Sequence, residues 1–202
     1  MKSAQRIMRK RRFIKARMDK VLPKQQSDAI WQDATERLEE ILCRYEALPK
    51  GVRGHTDTFI FPAAAIYLTV RDAVGVGTAY AIIEESAISA SGDAGRKLEK
   101  LMRVPGMRSL FISVWDPLTR KKFGQSNGFQ NVFYPKRKGE FRMDVTACPY
   151  CRYFGELGCP ELTKVFCAND DRVYGSLPGI VFERTGTLGR GADCCDFRIR
   201  KA

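Results

Sequence analysis

The chain changes its hydrophobic period about halfway along. Trp31, Ala34, Leu38, Ile41, Tyr45 and Leu48 recur at steps of three and four, the spacing that lines one face of an α-helix. Ser27 reads as the N-cap of that helix and Pro49-Lys50-Gly51 as its stop. Upstream, Ala4, Ile7, Ile14, Met18 and Val21 follow a looser stripe that Arg11 interrupts and Pro23 ends. Downstream, residues 51–58 read as a linker, and Pro62 suits the first turn of a helix over 63–73. Gly75 and Gly77 interrupt the pattern, and further helices are expected over 78–89 and 94–103, parted by the turn Ser91-Gly92-Asp93. Beyond Pro105-Gly106 the pattern reads as strands. Residues 110–115 form an apolar β run and 132–134 a short strand. Over 140–148, Phe141, Met143, Val145 and Ala147 alternate with Arg142, Asp144, Thr146 and Cys148. Short helices are expected over 150–157 and 161–168, and strands over 180–188 and 195–200, joined by Gly189-Arg190-Gly191. The expected fold is α+β: a helical N-terminal half packed against an antiparallel sheet with a short helical insertion. It forms one domain, with an arm (1–24), a helical half (25–104) and a sheet half (105–202).

Charge alters this picture only at the N-terminus. Of the net +12 over 202 residues, the first 24 residues supply +9, from ten Lys/Arg and one Asp. The rest is close to neutral, so a nucleic-acid or anionic-surface reading rests on the arm alone. The arm's apolar stripe is better explained by docking onto the body, and no nucleic-acid partner is expected. No apolar h-region follows the basic start, and the longest uncharged apolar stretch, 59–70, is too short to span a bilayer. The expected setting is cytoplasmic. An odd count of seven cysteines in a reducing compartment argues against a disulfide frame.

Four of those cysteines fall in "CPYCRYFGELGCPELTKVFC", Cys148 to Cys167, and "CCDF" follows from Cys194. Cys148 precedes a proline, which keeps it extended while Pro149 starts a helix. Its sulfur is then at a positive helix end, a setting that favours thiolate. The same reasoning applies to Cys159 before Pro160; in both cases the plain alternative is a small residue filling a turn. Cys167 and Asp170 share a helix face if the helix runs that far, as a nucleophile and a proton carrier. Otherwise Cys167 is a core residue and Asp170 a cap, with Asp171 an equal local alternative. In the last strand Cys195, Phe197 and Ile199 share one face, and Cys194, Asp196, Arg198 and Arg200 the other. Asp196 is expected to join Asp144, Arg142, Glu183, Thr185 and Thr187 on a polar sheet face. Such a face is either solvated or, through arginine, a carboxylate binder. His55, the single histidine, is either a thiol's partner or an exposed loop residue. A metal set of Cys148, Cys151, Cys159 and Cys167, for zinc or an Fe–S cluster, has one C-x2-C pair where a closed zinc site uses two.

The run "FRMDVTACPYCRYFGELGCPEL…FCANDD…FERTGTLGRGADCCDFRIR", over 140–200, resembles the L-2-amino-thiazoline-4-carboxylic acid hydrolase family. The Asp-Val-Thr-x-Cys-Pro strand end, Phe-Cys-x-x-Asp, Arg-Thr-x-Thr-Leu and Gly-x-x-x-Cys-Asp-Phe segments carry the resemblance. By position it implies Asp144, Cys148, Cys167, Asp170, Thr187, Cys195 and Asp196 as site residues. It implies a hydrolase that opens a cyclic thiazoline at its amidine carbon to a carbamoyl-cysteine, on the way to L-cysteine, with no cofactor predicted. The roles expected are Cys167 or Cys148 as nucleophile, Asp170 or Asp196 for proton transfer, and Arg184 or Arg198 for the substrate carboxylate. The alternative is a non-catalytic small-molecule or metal-binding sensor built on the cysteine cluster. A homo-oligomer is left open by the arm and by the Trp31 stripe.

Overall fold

The computed structural model describes residues 3–202; Met1 and Lys2, the start of the basic arm, lie outside the described residues. The arm is two short helices, α1 (Ala4–Arg9) and α2 (Arg12–Val21). Ser3 caps the first, its hydroxyl accepting from the Arg6 amide. Ala4, Ile7, Met8, Ile14 and Met18 are buried in the helical core, so the arm's stripe packs within the chain up to Val21, which is exposed. Each of the buried Ile and Met side chains contributes roughly 1.5–3 kcal/mol on burial. Arg11, the residue that interrupts the stripe, crosses to the body. Its guanidinium donates to the Thr58 carbonyl and lies 5.3 Å from the centre of the Phe59 ring.

α3 (Lys24–Arg44) starts one turn before the expected N-cap. Pro23 sets the start, and Ser27 is wholly buried inside the helix with its hydroxyl bonded to Asp19 at 2.8 Å. The linker expected over 51–58 is helical instead: α4 (Lys50–His55) runs through a π-turn, Thr56–Ile60, into α5 (Phe61–Val74). Buried Asp57, paired with Arg53 at 3.0 Å, holds the wide turn. α6 (Val76–Met102) is one helix through Ser91-Gly92-Asp93. Ser91 returns its hydroxyl to the Ala87 carbonyl at 2.7 Å, and Gly95 is needed for packing, because a Cβ there would meet the Arg172 carbonyl at 3.1 Å. Among the described residues no helix is long and apolar enough to cross a membrane.

The β run expected over 110–115 is the middle of α7 (Met107–Lys122). Its aromatic and β-branched residues mimic a strand, but Phe111 and Trp115 are one turn apart and pack together on the sheet side. Leu110, Val114 and Leu118 form the outer stripe of α7, each about half exposed. The remaining elements are β1 (Gln130–Phe133), β2 (Glu140–Ala147), α8 (Pro149–Glu156), α9 (Leu162–Tyr174), β3 (Ile180–Glu183) and β4 (Cys195–Lys201). The sheet is antiparallel with order β1-β2-β4-β3, so the fold is α+β as expected. β2 shows the predicted alternation, with Phe141, Met143 and Val145 buried against a core that includes Cys195 and Trp115. β3 ends at Glu183, and residues 184–194 leave the sheet to fold over α9. Three junctions therefore converge: the end of β2 at α8, the middle of α9, and the loop before β4.

Candidate active site

α9 continues past Ala168 to Tyr174, which puts Cys167 and Asp170 on one face. The Cys167 sulfur takes a hydrogen bond from the Cys195 thiol and lies beside the Thr187 hydroxyl, the Gly189 amide and the Arg184 guanidinium. These donors, Cys195 foremost, outweigh burial and hold the Cys167 thiol down to about 6. Cys195 keeps its proton, pushed up by the same hydrogen bond and by burial, and its sulfur accepts from the Leu188 amide at 3.2 Å. The Thr187 side chain is 1% exposed, and its hydroxyl has no hydrogen-bond partner among the described residues. It is thus an orphaned buried hydroxyl beside the Cys167 sulfur, and it favours the charged form of that thiol.

Arg184 organises the carboxylates. Its side chain is 2% exposed and lies between the Phe182 and Phe197 rings, 5.7 and 5.2 Å from their centres. It reaches Asp170 at 3.1 Å, Asp171 at 2.7 Å and the Cys167 carbonyl at 2.8 Å. Asp170 is crowded by protein, yet 36% of its side-chain surface stays accessible. Desolvation there pushes its carboxyl up to about 7, against the Arg184 charge and with the negative charges of Cys167 and Asp171. A thiolate and a protonated carboxyl one turn apart are groups that can serve as a nucleophile and a proton donor.

Tyr150 lies next to this group. Its hydroxyl is kept protonated foremost by burial, with the Asp170 charge adding to the effect and Arg11 opposing it from the arm. His55 sits behind it. Its Nε2 is 2.9 Å from the Lys122 carbonyl and must donate, so Nδ1 accepts from the Tyr150 hydroxyl at 3.4 Å. The ring packs on Phe123, Phe129 and Tyr150, and burial lowers its pKa. His55 therefore orients a tyrosine and does not face a thiol. Cys148 is the N-cap of α8, as expected from its proline. Its thiol is not the anionic one: it donates to Cys151, whose pKa that bond lowers, while Cys148 is pushed up by the bond and by burial.

Other expected residues lie apart from this group. Asp144 and Asp196 are cross-strand partners on the opposite sheet face. Asp144 accepts from the Tyr134 hydroxyl at 2.6 Å. Asp196 accepts from the Thr185 and Gly186 amides at 2.8–3.0 Å and from the Thr185 hydroxyl at 2.6 Å, which pins the start of the 184–194 loop. Arg198 is held by Glu140 at 2.8 Å and Glu183 at 3.1 Å. The polar face is an ion-pair network, while Thr187 leaves it for the thiols. Cys159 is fully buried in the helical core near Tyr67 and Arg71, its thiol pushed up to about 12 by burial, which separates it from the other members of the expected metal set. Among the described residues no three His, Cys, Asp or Glu side chains converge to hold a metal ion. All seven cysteines are free thiols. A cleft of about 190 Å³ lined by Ile112, Asp116, Tyr134 and Arg142 contains none of them.

A family model described as L-2-amino-thiazoline-4-carboxylic acid hydrolase matches residues 54–199. The chain belongs to that family. No curated protein and no solved structure matched. For this thiazoline-carboxylate hydrolase family member, the matched span covers the thiols, the aspartates, Arg184, Tyr150 and His55, and leaves out Arg11. The sequence reading missed Tyr150, Arg11 and Gly189 as parts of the group. The signal for Gly189 is its neighbourhood: a Cβ there would lie 2.9 Å from Thr163 Cγ2 and 3.0 Å from the Cys167 sulfur. Gly189→Ala is expected to rotate the sulfur away from the loop amides rather than to unfold the chain. Iodoacetamide labelling of Cys167 at pH 7 should slow about tenfold with little change in melting temperature. Unchanged labelling would mean that the loop does not set the thiol.

Proposed function

We propose that the protein hydrolyses L-2-amino-thiazoline-4-carboxylate, or a closely similar cyclic amidine, with Cys167 as nucleophile. The observation that carries this reading is a charge-stabilised thiolate one helical turn from a carboxyl that stays protonated to about 7, in a member of the thiazoline-carboxylate hydrolase family. The Cys167 thiolate adds to the amidine carbon while Asp170 protonates the ring nitrogen. The ring C–S bond then breaks, and the departing sulfur leaves as a thiol with a proton from the amidinium. Cys167 is left joined to that carbon as an isothiourea. Asp170, now ionised, takes a proton from water. The water oxygen adds to the carbon, and the C–S bond to Cys167 breaks, regenerating the thiolate. The net change is substrate plus water to carbamoyl-cysteine.

Arg184 is committed to Asp170 and Asp171, and Arg198 to the sheet face, so neither suits the substrate carboxylate. Arg11 suits it better: it faces Tyr150, is partly desolvated, and among the described residues it forms no ion pair with a carboxylate. That assignment gives the basic arm a part in the site. The test is incubation of the full chain with L-2-amino-thiazoline-4-carboxylate, with carbamoyl-cysteine followed by mass spectrometry. Formation is expected, and prior iodoacetamide treatment should abolish it. No product from protein with a labelling-competent Cys167 would overturn the substrate.

A further inference from the structure

The mechanism above leaves Cys148 and Cys151 unused, and these two thiols make a second reactive arrangement. Cys148 is extended, at φ −132° and ψ 128°, and α8 begins at the next residue. An N-cap side chain and one three residues on face each other across the first helical turn, as in a capping box. Here both are thiols: Cys148 is the N-cap and Cys151 lies in the first turn of α8. Pro149 has no amide proton, so the first free amides of the helix are those of Tyr150 and Cys151, and Cys148 sits at that end of α8. Both residues are half-buried, so neither is sealed from a small reagent. By contrast Cys43 is exposed and has no thiol partner, and Cys159 is fully buried.

We propose that Cys148 and Cys151 are a redox-active dithiol that exchanges with low-molecular-weight disulfides, a site separate from the Cys167 chemistry. The Cys151 thiolate, favoured by the bond from Cys148, attacks one sulfur of the small disulfide. That S–S bond breaks, a thiolate leaves, and a mixed disulfide forms on Cys151. Cys148 then gives its proton to the departed thiolate and attacks the Cys151 sulfur, expelling the second small thiolate, which takes from water the proton that Cys151 released on ionising. Two protein thiols and one small disulfide become one Cys148–Cys151 disulfide and two small thiols. Closing so short a loop costs little chain entropy. Cys167 and Cys151 oppose each other's ionisation through their charges. Oxidation removes the Cys151 charge, so it should also lower the pH at which Cys167 labels.

The test uses the full chain, reduced, freed of reductant, equilibrated with graded ratios of oxidised to reduced glutathione, quenched with acid and mapped by mass spectrometry. The expected result is a Cys148–Cys151 disulfide that appears and reverses with the ratio while Cys43 and Cys159 remain alkylatable. Cys148→Ser should trap one glutathione on Cys151 at least about tenfold faster than on Cys43. The inference is overturned if the 148–151 peptide stays fully alkylated at the most oxidising ratio, or if oxidation goes only to Cys167 and Cys195. The wild-type map needs no variant, and it reads independently of whether thiazoline carboxylate is hydrolysed.

Discussion

Cys167→Ser is expected to lower thiazoline-carboxylate turnover by about 1,000-fold or more with the fold retained. A serine fits the same contacts with Cys195, Thr187 and Gly189, but its hydroxyl does not ionise near neutral pH. The stronger result is the pH profile of the wild type. Cys167 ionises at about 6, so the nucleophile is lost as pH falls below that value. Asp170 ionises at about 7, so the proton donor is lost as pH rises above it. The form carrying both thiolate and carboxylic acid is most populated between them, and kcat/KM should trace a narrow bell centred between those limits. Iodoacetamide labelling of Cys167 needs only the thiolate and should show the acidic limb alone. A labelling midpoint near the ordinary thiol value of about 8.5 would sink the assignment.

The same carboxyl makes a stability prediction with a fixed sign. Its folded pKa is raised above the unfolded value, so its contribution to stability is fully present below about 4 and is lost as pH rises through about 7. Asp170→Asn should therefore remove the alkaline limb and much of the turnover. It should also raise the melting temperature at pH 8 relative to its effect at pH 4. A group that weakens the fold at working pH is what a functional carboxyl, rather than a structural one, looks like.

The elements that recur at one period were legible in the sequence, and the site was legible where it rests on a local rule. β2 alternates, α3 carries one stripe, and Cys148 before Pro149 had to be an N-cap. Pairing Cys167 with Asp170 needed only a helix that runs three residues on. The failures are tertiary. α7 has strand-like composition, and only the sheet beneath it selects a helix for Phe111 and Trp115. Strand parity put Asp196 with Asp144, correctly, but could not show that loop amides already occupy Asp196. A helix-end argument made Cys148 the thiolate. The deciding factor was a neighbouring thiol, and the same is true of Cys167, whose partner Cys195 comes from another element. Arg11 was legible only as a gap in a stripe.

Arg184→Met is expected to separate stability from catalysis. The guanidinium is buried between two phenylalanine rings and holds two carboxylates and the Cys167 carbonyl. Methionine keeps part of the packing and removes the charge, leaving Asp171 and the Cys167 carbonyl without their partner and Asp170 more firmly protonated. Breaking a buried pair costs up to about 5 kcal/mol, but both aspartates reach water, so about 2–4 kcal/mol is expected here. For a chain of this size that is a fall of roughly 5–15 °C in melting temperature. Lysine should not rescue it, because one ammonium cannot span three acceptors in a plane. The charge also lowers Cys167 and opposes the rise of Asp170. Without it both titrations move up, and the surviving activity should peak at a more alkaline pH. Adding Asp171→Asn removes the carboxylate left unpaired, so the double variant should regain much of the stability and keep the displaced pH optimum. If the optimum returned along with the melting temperature, Arg184 would be a structural residue alone, and the low pKa of Cys167 would have to come from Cys195, Thr187 and the Gly189 amide.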